Sequence, residues 1–169
     1  LYTDAEAGRL LDGIAALGLA ERTIVVFTSD HGEEFGEHGW KGHDETLYEE
    51  VLHVPLIVRA PGLVPAGVRV RPQASLVDVA PTLLELLGVP VPRGLHGRSL
   101  VPLLSHPDRG PEPPVFAELV KRRKGRRSVA ARTPTRKWIW HDPPTRPAEV
   151  YDLVADPGEH SNIASPELL

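Results

Sequence analysis

Apolar residues recur at helical spacing near the start of the chain. Leu10, Leu11, Ile14 and Leu17 fall on one face, Thr3 or Asp4 can cap the start, and Gly18 can end the helix, which predicts a helix over residues 4–17. The period then changes. Residues 23–28, TIVVFT, are apolar and β-branched without alternation, the pattern of a strand covered on both faces of a sheet. VPLIVR at residues 54–59 reads as a second such strand, closed by APG, with a turn over residues 65–71 leading into an edge strand and a short helical turn over 45–51. Val79, Leu83, Leu84 and Leu87 mark a helix over residues 76–87 that Gly88 ends. GRSLVPLL, residues 97–104, reads as a short docking turn.

After residues 111–114, PEPP, the pattern shortens. Residues 115–120, 128–132, 137–141 and 150–153 are brief strand candidates separated by turn signals. The expected fold is α/β: part of a mixed sheet flanked by helices in residues 1–110, then a small antiparallel sheet in residues 111–169.

Composition narrows the function classes. The 169 residues suffice for one sizeable core and a small second layer, and 41% apolar with 25% charged residues is ordinary for a globular chain. A formal net charge of -4 argues against a nucleic-acid binder. There is no cysteine, so disulfides, thiolate metal sites and cysteine nucleophiles are excluded. No apolar run reaches bilayer-spanning length, and the start, at Leu1, shows no signal-peptide pattern.

The chemistry concentrates where the first strand ends. SDHG, residues 29–32, is followed within one loop by Glu33, Glu34, Glu37, His38, Lys41, His43 and Asp44. In open α/β sheets ligands bind beyond the carboxyl ends of strands. Asp30 and His31 offer a carboxylate oxygen and an imidazole nitrogen to a divalent cation, and Gly32 allows the turn that could bring both to one ion. An isolated Asp-His pair is equally a loop cap beside an exposed histidine. Glu33, Glu34 and Glu37 read as loop solvation or helix capping, whereas Lys41 and His43 place cationic, proton-donating groups near an ion, which suits an oxyanion.

TIVVFTSDHGEEFGEHG followed by GHDETLYEEVLHVPLIVRAPG resembles the C-terminal half of the sulfatase family, within the alkaline phosphatase-like superfamily. SLVDVAPTLLELLGV, GRSLVPLL and EVYDLVADPGEHSNIA continue the resemblance in order, over about residues 2–164. The resemblance implies sulfate ester hydrolysis, with a small-molecule or saccharide sulfate ester as substrate. Asp30 and His31 match the family's late pair of metal ligands. Calcium is the family's default ion, and His31, where arylsulfatases often carry asparagine, leaves manganese or magnesium open. His43 matches a position that is often lysine, contacting the sulfate and assisting the leaving group; Lys41 is a possible substitute two residues away. The family's nucleophile is a formylglycine made from Cys or Ser in C/S-x-P-x-R, early in the full enzyme. SHPDR at residues 105–109 fits by letter alone but follows the metal pair and sits in a linker, so it reads as a proline turn. The expectation is a C-terminal portion with little or no catalysis alone. A phosphodiesterase or phosphonate monoester hydrolase on the same scaffold stays open, as does a noncatalytic polyanion-binding module built on KRRKGRR, residues 121–127.

Other polar residues read as structural. Tyr48 packs with its hydroxyl bonded, Glu49 or Glu50 answers a nearby base or backbone group, His53 is packing or surface rather than a ligand, and His96 is an isolated loop histidine. KRRKGRR reads first as a solvated hairpin turn with Gly125 at its tip. Trp138 and Trp140 share a strand face, Asp156 starts a turn, and Asn162 bonds local backbone.

Overall fold

The computed structural model describes residues 2–108, 110, 112–144 and 146–169, the side chains of Ser105 and Arg122 not among them. Arg109 of SHPDR and Pro111 of PEPP therefore lie outside the described residues. The chain divides into two compact units, Leu1–Thr28 with Pro55–Arg69, and Ser29–Val54 with Val70–Leu169.

The first unit holds helix α1 (Tyr2–Ala16) and strands β1 (Val25–Thr28) and β4 (Leu56–Arg59). The two strands pair antiparallel, with Phe27 opposite Ile57. Both strands were read as buried on two faces, yet Phe27 is 45% and Ile57 59% exposed, because no further strand flanks this pair among the described residues. Arg59 ties β4 to the turn after α1, its guanidinium donating to the Ala20 carbonyl at 2.7 Å. Residues 65–71 turn, as expected, but the edge strand they were expected to lead into does not form among the described residues.

The second unit is built on a four-stranded antiparallel meander: β5 (Val115–Lys121), β6 (Arg126–Arg132), β7 (Arg136–Asp142) and β8 (Glu149–Asp152), in that order. KRRKGRR is the β5–β6 connection, a 3-10 turn over Arg122–Lys124 followed by Gly125 in the left-handed region at φ 57, as a tight hairpin requires. Directly opposed residues share a face of a sheet. One face therefore carries the row Ala117, Ala130, Ile139 and Glu149, the row Leu119, Ser128 and His141, and the row Arg132, Lys137 and Tyr151. The other face carries Trp138 and Trp140; the Trp138 indole donates to the Leu168 carbonyl at 2.9 Å. Helices α3 (Val79–Leu86) and α4 (Val101–Ser105) complete the unit, Ser75 and Asp78 forming a capping box ahead of α3.

Leu47 and Tyr48 pack with Ala130, Ile139 and Tyr151 into one buried cluster. Burying each large apolar side chain contributes about 1.5–3 kcal/mol. The loop that follows the candidate residues is thus fastened to the meander. Within it, residues read as loop form a small hairpin, β2 (Glu34–Phe35) with β3 (Lys41–Gly42), and the helical turn expected over 45–51 is α2 (Glu49–Leu52). No helix among the described residues is long and apolar enough to cross a membrane.

Candidate functional site

Past Thr28 the chain turns sharply. Ser29 Oγ donates to the His31 carbonyl at 2.6 Å, and the His31 N–H donates to Asp30 Oδ1 at 3.1 Å. The next two amides rest on α2: Gly32 N–H donates to the Val51 carbonyl at 2.7 Å and Glu33 N–H to the Glu50 carbonyl at 3.0 Å. This close approach requires glycine, since a Cβ at residue 32 would lie 2.0 Å from the Glu50 carbonyl oxygen.

His31 is oriented by the same turn. Its Nδ1 lies 2.8 Å from the Gly32 carbonyl, which can only accept, so Nδ1 carries the hydrogen and Nε2 keeps its lone pair. Nε2 sits 3.7 Å from Asp30 Oδ2. Two donor atoms on one cation, each about 2.0–2.6 Å from it, stand roughly 3–4 Å apart when adjacent, so this pair fits a divalent ion. Attraction from the His31 ring when it is protonated, and the His31 backbone N–H that remains when the ring is neutral and free to bind an ion, hold the exposed Asp30 carboxyl below its usual range, in the ionised form a ligand needs.

His43 stacks on His31, ring centroids 3.9 Å apart and planes 25° from parallel. Its Nδ1 is 2.9 Å from Glu33 Oε2. That hydrogen bond raises the His43 pKa against a smaller opposing effect of desolvation. With Nδ1–H held by Glu33, the protonated ring has Nε2–H left to give. His31, Glu33 and His43 bring their ligand atoms within 4.8 Å of one another. Asp30 joins this group through His31. Lys41, opposite Phe35 in the small hairpin, is exposed, and its side chain makes no hydrogen bond or ion pair among the described residues. Glu33, read as loop solvation, is the member that sequence reasoning passed over. Its only signal was its place directly after the Asp-His-Gly turn.

A second donor group, Glu34, His38 and Glu50, lies within the same unit. Here both histidine nitrogens are engaged. Nε2 lies 3.1 Å from the Glu159 carbonyl and Nδ1 2.5 Å from Glu50 Oε1, while the ring stacks on Tyr48 at 3.8 Å. Burial alone would lower the His38 pKa, but the hydrogen bonds to Glu50 and Glu159 raise it overall. Glu34 is 1% exposed, and neither carboxyl oxygen nor the adjacent Thr46 hydroxyl has a well-formed hydrogen bond. Burial pushes Glu34 toward its neutral form.

Two buried networks support these loops. Glu149 accepts from Tyr48 at 2.7 Å, Tyr151 at 2.6 Å and His141 Nε2 at 2.8 Å. Burial opposes its charge, yet these donors outweigh burial and lower its pKa, while burial and the carboxylate push Tyr48 up to about 12. Tyr48 is thus bonded as expected. The other network joins α2 to the meander. Glu49 takes Arg132 Nε at 3.0 Å and Lys137 Nζ at 3.2 Å, its N–H donates to Glu159 Oε2 at 2.7 Å, and Lys137 also pairs with Glu159 Oε1 at 2.8 Å. His53 is exposed, as expected. Asp156 accepts from the Ser161 N–H, and Asn162 Oδ1 from the Val150 and Ala164 N–H groups.

The chain is similar to known proteins over nearly all of its length. Arylsulfatase K of Gallus gallus is 38% identical over 170 residues, covering 96% of this chain and 31% of its own length. A solved structure of a protein in complex with its substrate D-glucosamine-2-N,6-O-disulfate superposes with a TM-score of 0.87 at 34% identity, over 98% of this chain and 34% of that one. The phosphonate monoester hydrolase of Silicibacter pomeroyi superposes at 0.81 with 27% identity, over 97% of this chain and 35% of that one. The chain therefore spans about a third of the length of the curated relatives it matches. These neighbours share its α/β architecture with an antiparallel C-terminal sheet. A family model described as Sulfatase matches residues 1–89, more than half of the 169 residues, and the chain belongs to the sulfatase family.

Proposed function

We propose that the protein carrying this chain hydrolyses sulfate esters of saccharides, and that Asp30 and His31 hold its divalent ion. The single observation that carries the reading is the placement of His43. It stacks on a histidine whose Nε2 lone pair is free for a metal, and its own Nδ1–H is held by Glu33. Calcium is the ion proposed first, with manganese and magnesium as substitutes, because an ionised carboxylate and an imidazole accept any of the three. When bound, the ion supplies positive charge that polarises the sulfate oxygens.

The chain's own residues do the rest. Asp30 and His31 are held in place by the turn on α2. His43 Nε2–H donates to the ester oxygen, and its proton passes to that oxygen as the sulfur–oxygen bond breaks, releasing the alcohol. Glu33 stabilises the charged imidazole beforehand. Lys41 contributes a second cation for the sulfate oxygens. The attacking group, a formylglycine in this family, lies outside these 169 residues. Residues 1–110 then form the later part of the catalytic domain and residues 111–169 a small subdomain. A sulfated saccharide is proposed from the likeness to the protein solved with a glucosamine disulfate.

A second reading, hydrolysis of phosphonate monoesters or phosphodiesters, is favoured by His31 and by the likeness to the phosphonate monoester hydrolase. The deciding experiment compares turnover of 4-nitrophenyl sulfate, bis(4-nitrophenyl) phosphate and a phenyl phosphonate monoester by the full-length protein and its His43→Gln variant. Sulfate turnover reduced about 10²–10⁴-fold in the variant is the expected result. Phosphoester or phosphonate turnover without sulfate turnover moves the assignment to the second reading. None of the three hydrolysed, with binding of a sulfated polymer intact, leaves a polyanion-binding module.

A further inference from the structure

The β5–β6 hairpin carries charge that the proposed reaction does not use. Lys121 and Arg126 stand directly opposite across the ladder, where like charges weaken strand pairing. Glu45 answers Lys121 and Lys124, and Glu118 answers Arg127. The Arg126 side chain has no ion pair or hydrogen bond among the described residues. Beside these groups lies a cavity of about 120 Å³. Its wall includes Lys121, Arg126, Arg127 and Arg146 against only two acids, Glu45 and Asp142, so the lining carries excess positive charge.

The remaining lining is of a different kind. Trp40, 43% exposed, offers an indole at the wall. Ser128 Oγ lies 2.9 Å from His141 Nδ1, and His141 Nε2 donates to the Glu149 carboxylate. In that tautomer Nδ1 accepts, so the Ser128 hydrogen is committed to it and the hydroxyl oxygen is left as an acceptor. Cations for an anionic group, an acceptor for a hydroxyl and an aromatic face together match a sugar ring bearing a negative substituent. A free inorganic anion would use only the cations.

The loop over residues 40–45 serves both places. Trp40 and Glu45 belong to the cavity wall, while Lys41 and His43 belong to the proposed reacting centre. We infer that this cavity is a subsite for a second anionic group on the saccharide substrate, adjacent to the ester that is cleaved. The inference rests on the sulfate-ester reading above and adds what the substrate carries beyond that ester.

The test uses the full-length protein with Arg126→Glu and Trp40→Ala. The Arg126 side chain is exposed and unpaired among the described residues, and Glu there would stand opposite Lys121 in place of a like charge, so thermal melting that is unchanged or slightly raised is expected for its variant. The probes are a heparin-derived disaccharide with two sulfates, the same disaccharide with one, and 4-nitrophenyl sulfate. Calorimetry reads binding of the disaccharides, and steady-state kinetics reads KM and kcat. Arg126→Glu weakens binding of the disulfated disaccharide about tenfold, a change of about 1.4 kcal/mol, and raises its KM in step. It leaves kcat, and both constants for 4-nitrophenyl sulfate, unchanged. Trp40→Ala weakens both disaccharides and spares the aryl sulfate.

Equal binding of the disulfated disaccharide by wild type and Arg126→Glu overturns the subsite. So does an equal loss for the one-sulfate and two-sulfate disaccharides, which would mark a general field effect. If the wild type hydrolyses 4-nitrophenyl sulfate and Arg126 has no effect, the subsite fails while the reaction stands. If nothing is hydrolysed but disaccharide binding depends on Arg126, the reaction fails and the subsite stands.

Discussion

Lys137 is the buried cation on which the site loop depends. Its side chain is 0% exposed and lies between two carboxylates, Glu49 at 3.2 Å and Glu159 at 2.8 Å. Arg132 reaches Glu49, and no ion pair with Arg132 is formed by Glu159. Lys137→Met therefore leaves Glu159 as a fully buried carboxylate without a cation. Removing one partner of a buried pair costs about 3–5 kcal/mol, or roughly 6–20 °C in Tm for a chain of this length. Glu159 can relieve part of this by protonating, since burial already raises its pKa against the pull of Lys137. A carboxyl whose folded pKa is raised loses stability as pH climbs from its unfolded value toward its folded one. The deficit of Lys137→Met is thus smallest near pH 4.5 and grows above it. The double variant Lys137→Met/Glu159→Gln removes both charges, keeps an oxygen for the Glu49 N–H, and recovers more than half the loss. Chemical denaturation across pH measures all three proteins. Hydrogen exchange then reads the Gly32 and Glu33 amides, which hang on α2 and exchange faster in the single variant. A single-variant cost below about 1 kcal/mol, or a double variant no better than the single, refutes the reasoning.

Other perturbations reach the same loops by different routes. Gly32→Ala puts a methyl group 2.0 Å from a backbone carbonyl that no side-chain movement can relieve; activity falls about 10²-fold while circular dichroism stays native. His38 has a raised folded pKa, so its contribution is full below its unfolded value near 6.5 and is lost as pH rises through the folded one. The Tm difference between wild type and His38→Gln therefore shrinks from pH 6 to pH 9, and a difference constant with pH would contradict the charged His38–Glu50 pair.

The sequence was most legible where period and punctuation agreed. Leu83, Leu84 and Gly88 marked α3, and the four short strands after residue 114 appear within one or two residues of their expected bounds. The turn at Asp30–His31–Gly32 was legible because an apolar strand runs straight into polar residues and a glycine; the pair alone reads as well as a loop cap. The burial of β1 and β4 was misread, since their apolar runs suggest a sheet covered on both faces whereas among the described residues the two strands pair only with each other. Glu33 was missed because a run of acids after a turn looks like solvation until the fold sets His43 beside it. Lys137 gave no signal at all. In the sequence it is one of two adjacent cations on a strand, and the register with Tyr151 and Arg132 places it under α2.

The most direct test of the account is metal-dependent turnover of 4-nitrophenyl sulfate by the full-length protein. The protein is stripped with EDTA and titrated with calcium, manganese and magnesium, alongside Asp30→Ala and His31→Ala, with calorimetry of ion binding in parallel. The account predicts that stripping abolishes turnover, that an added divalent ion restores it to the wild type, and that both variants bind the ion at least tenfold more weakly, about 1.4 kcal/mol or more. Turnover that survives EDTA, or ion binding unchanged in Asp30→Ala, would contradict it.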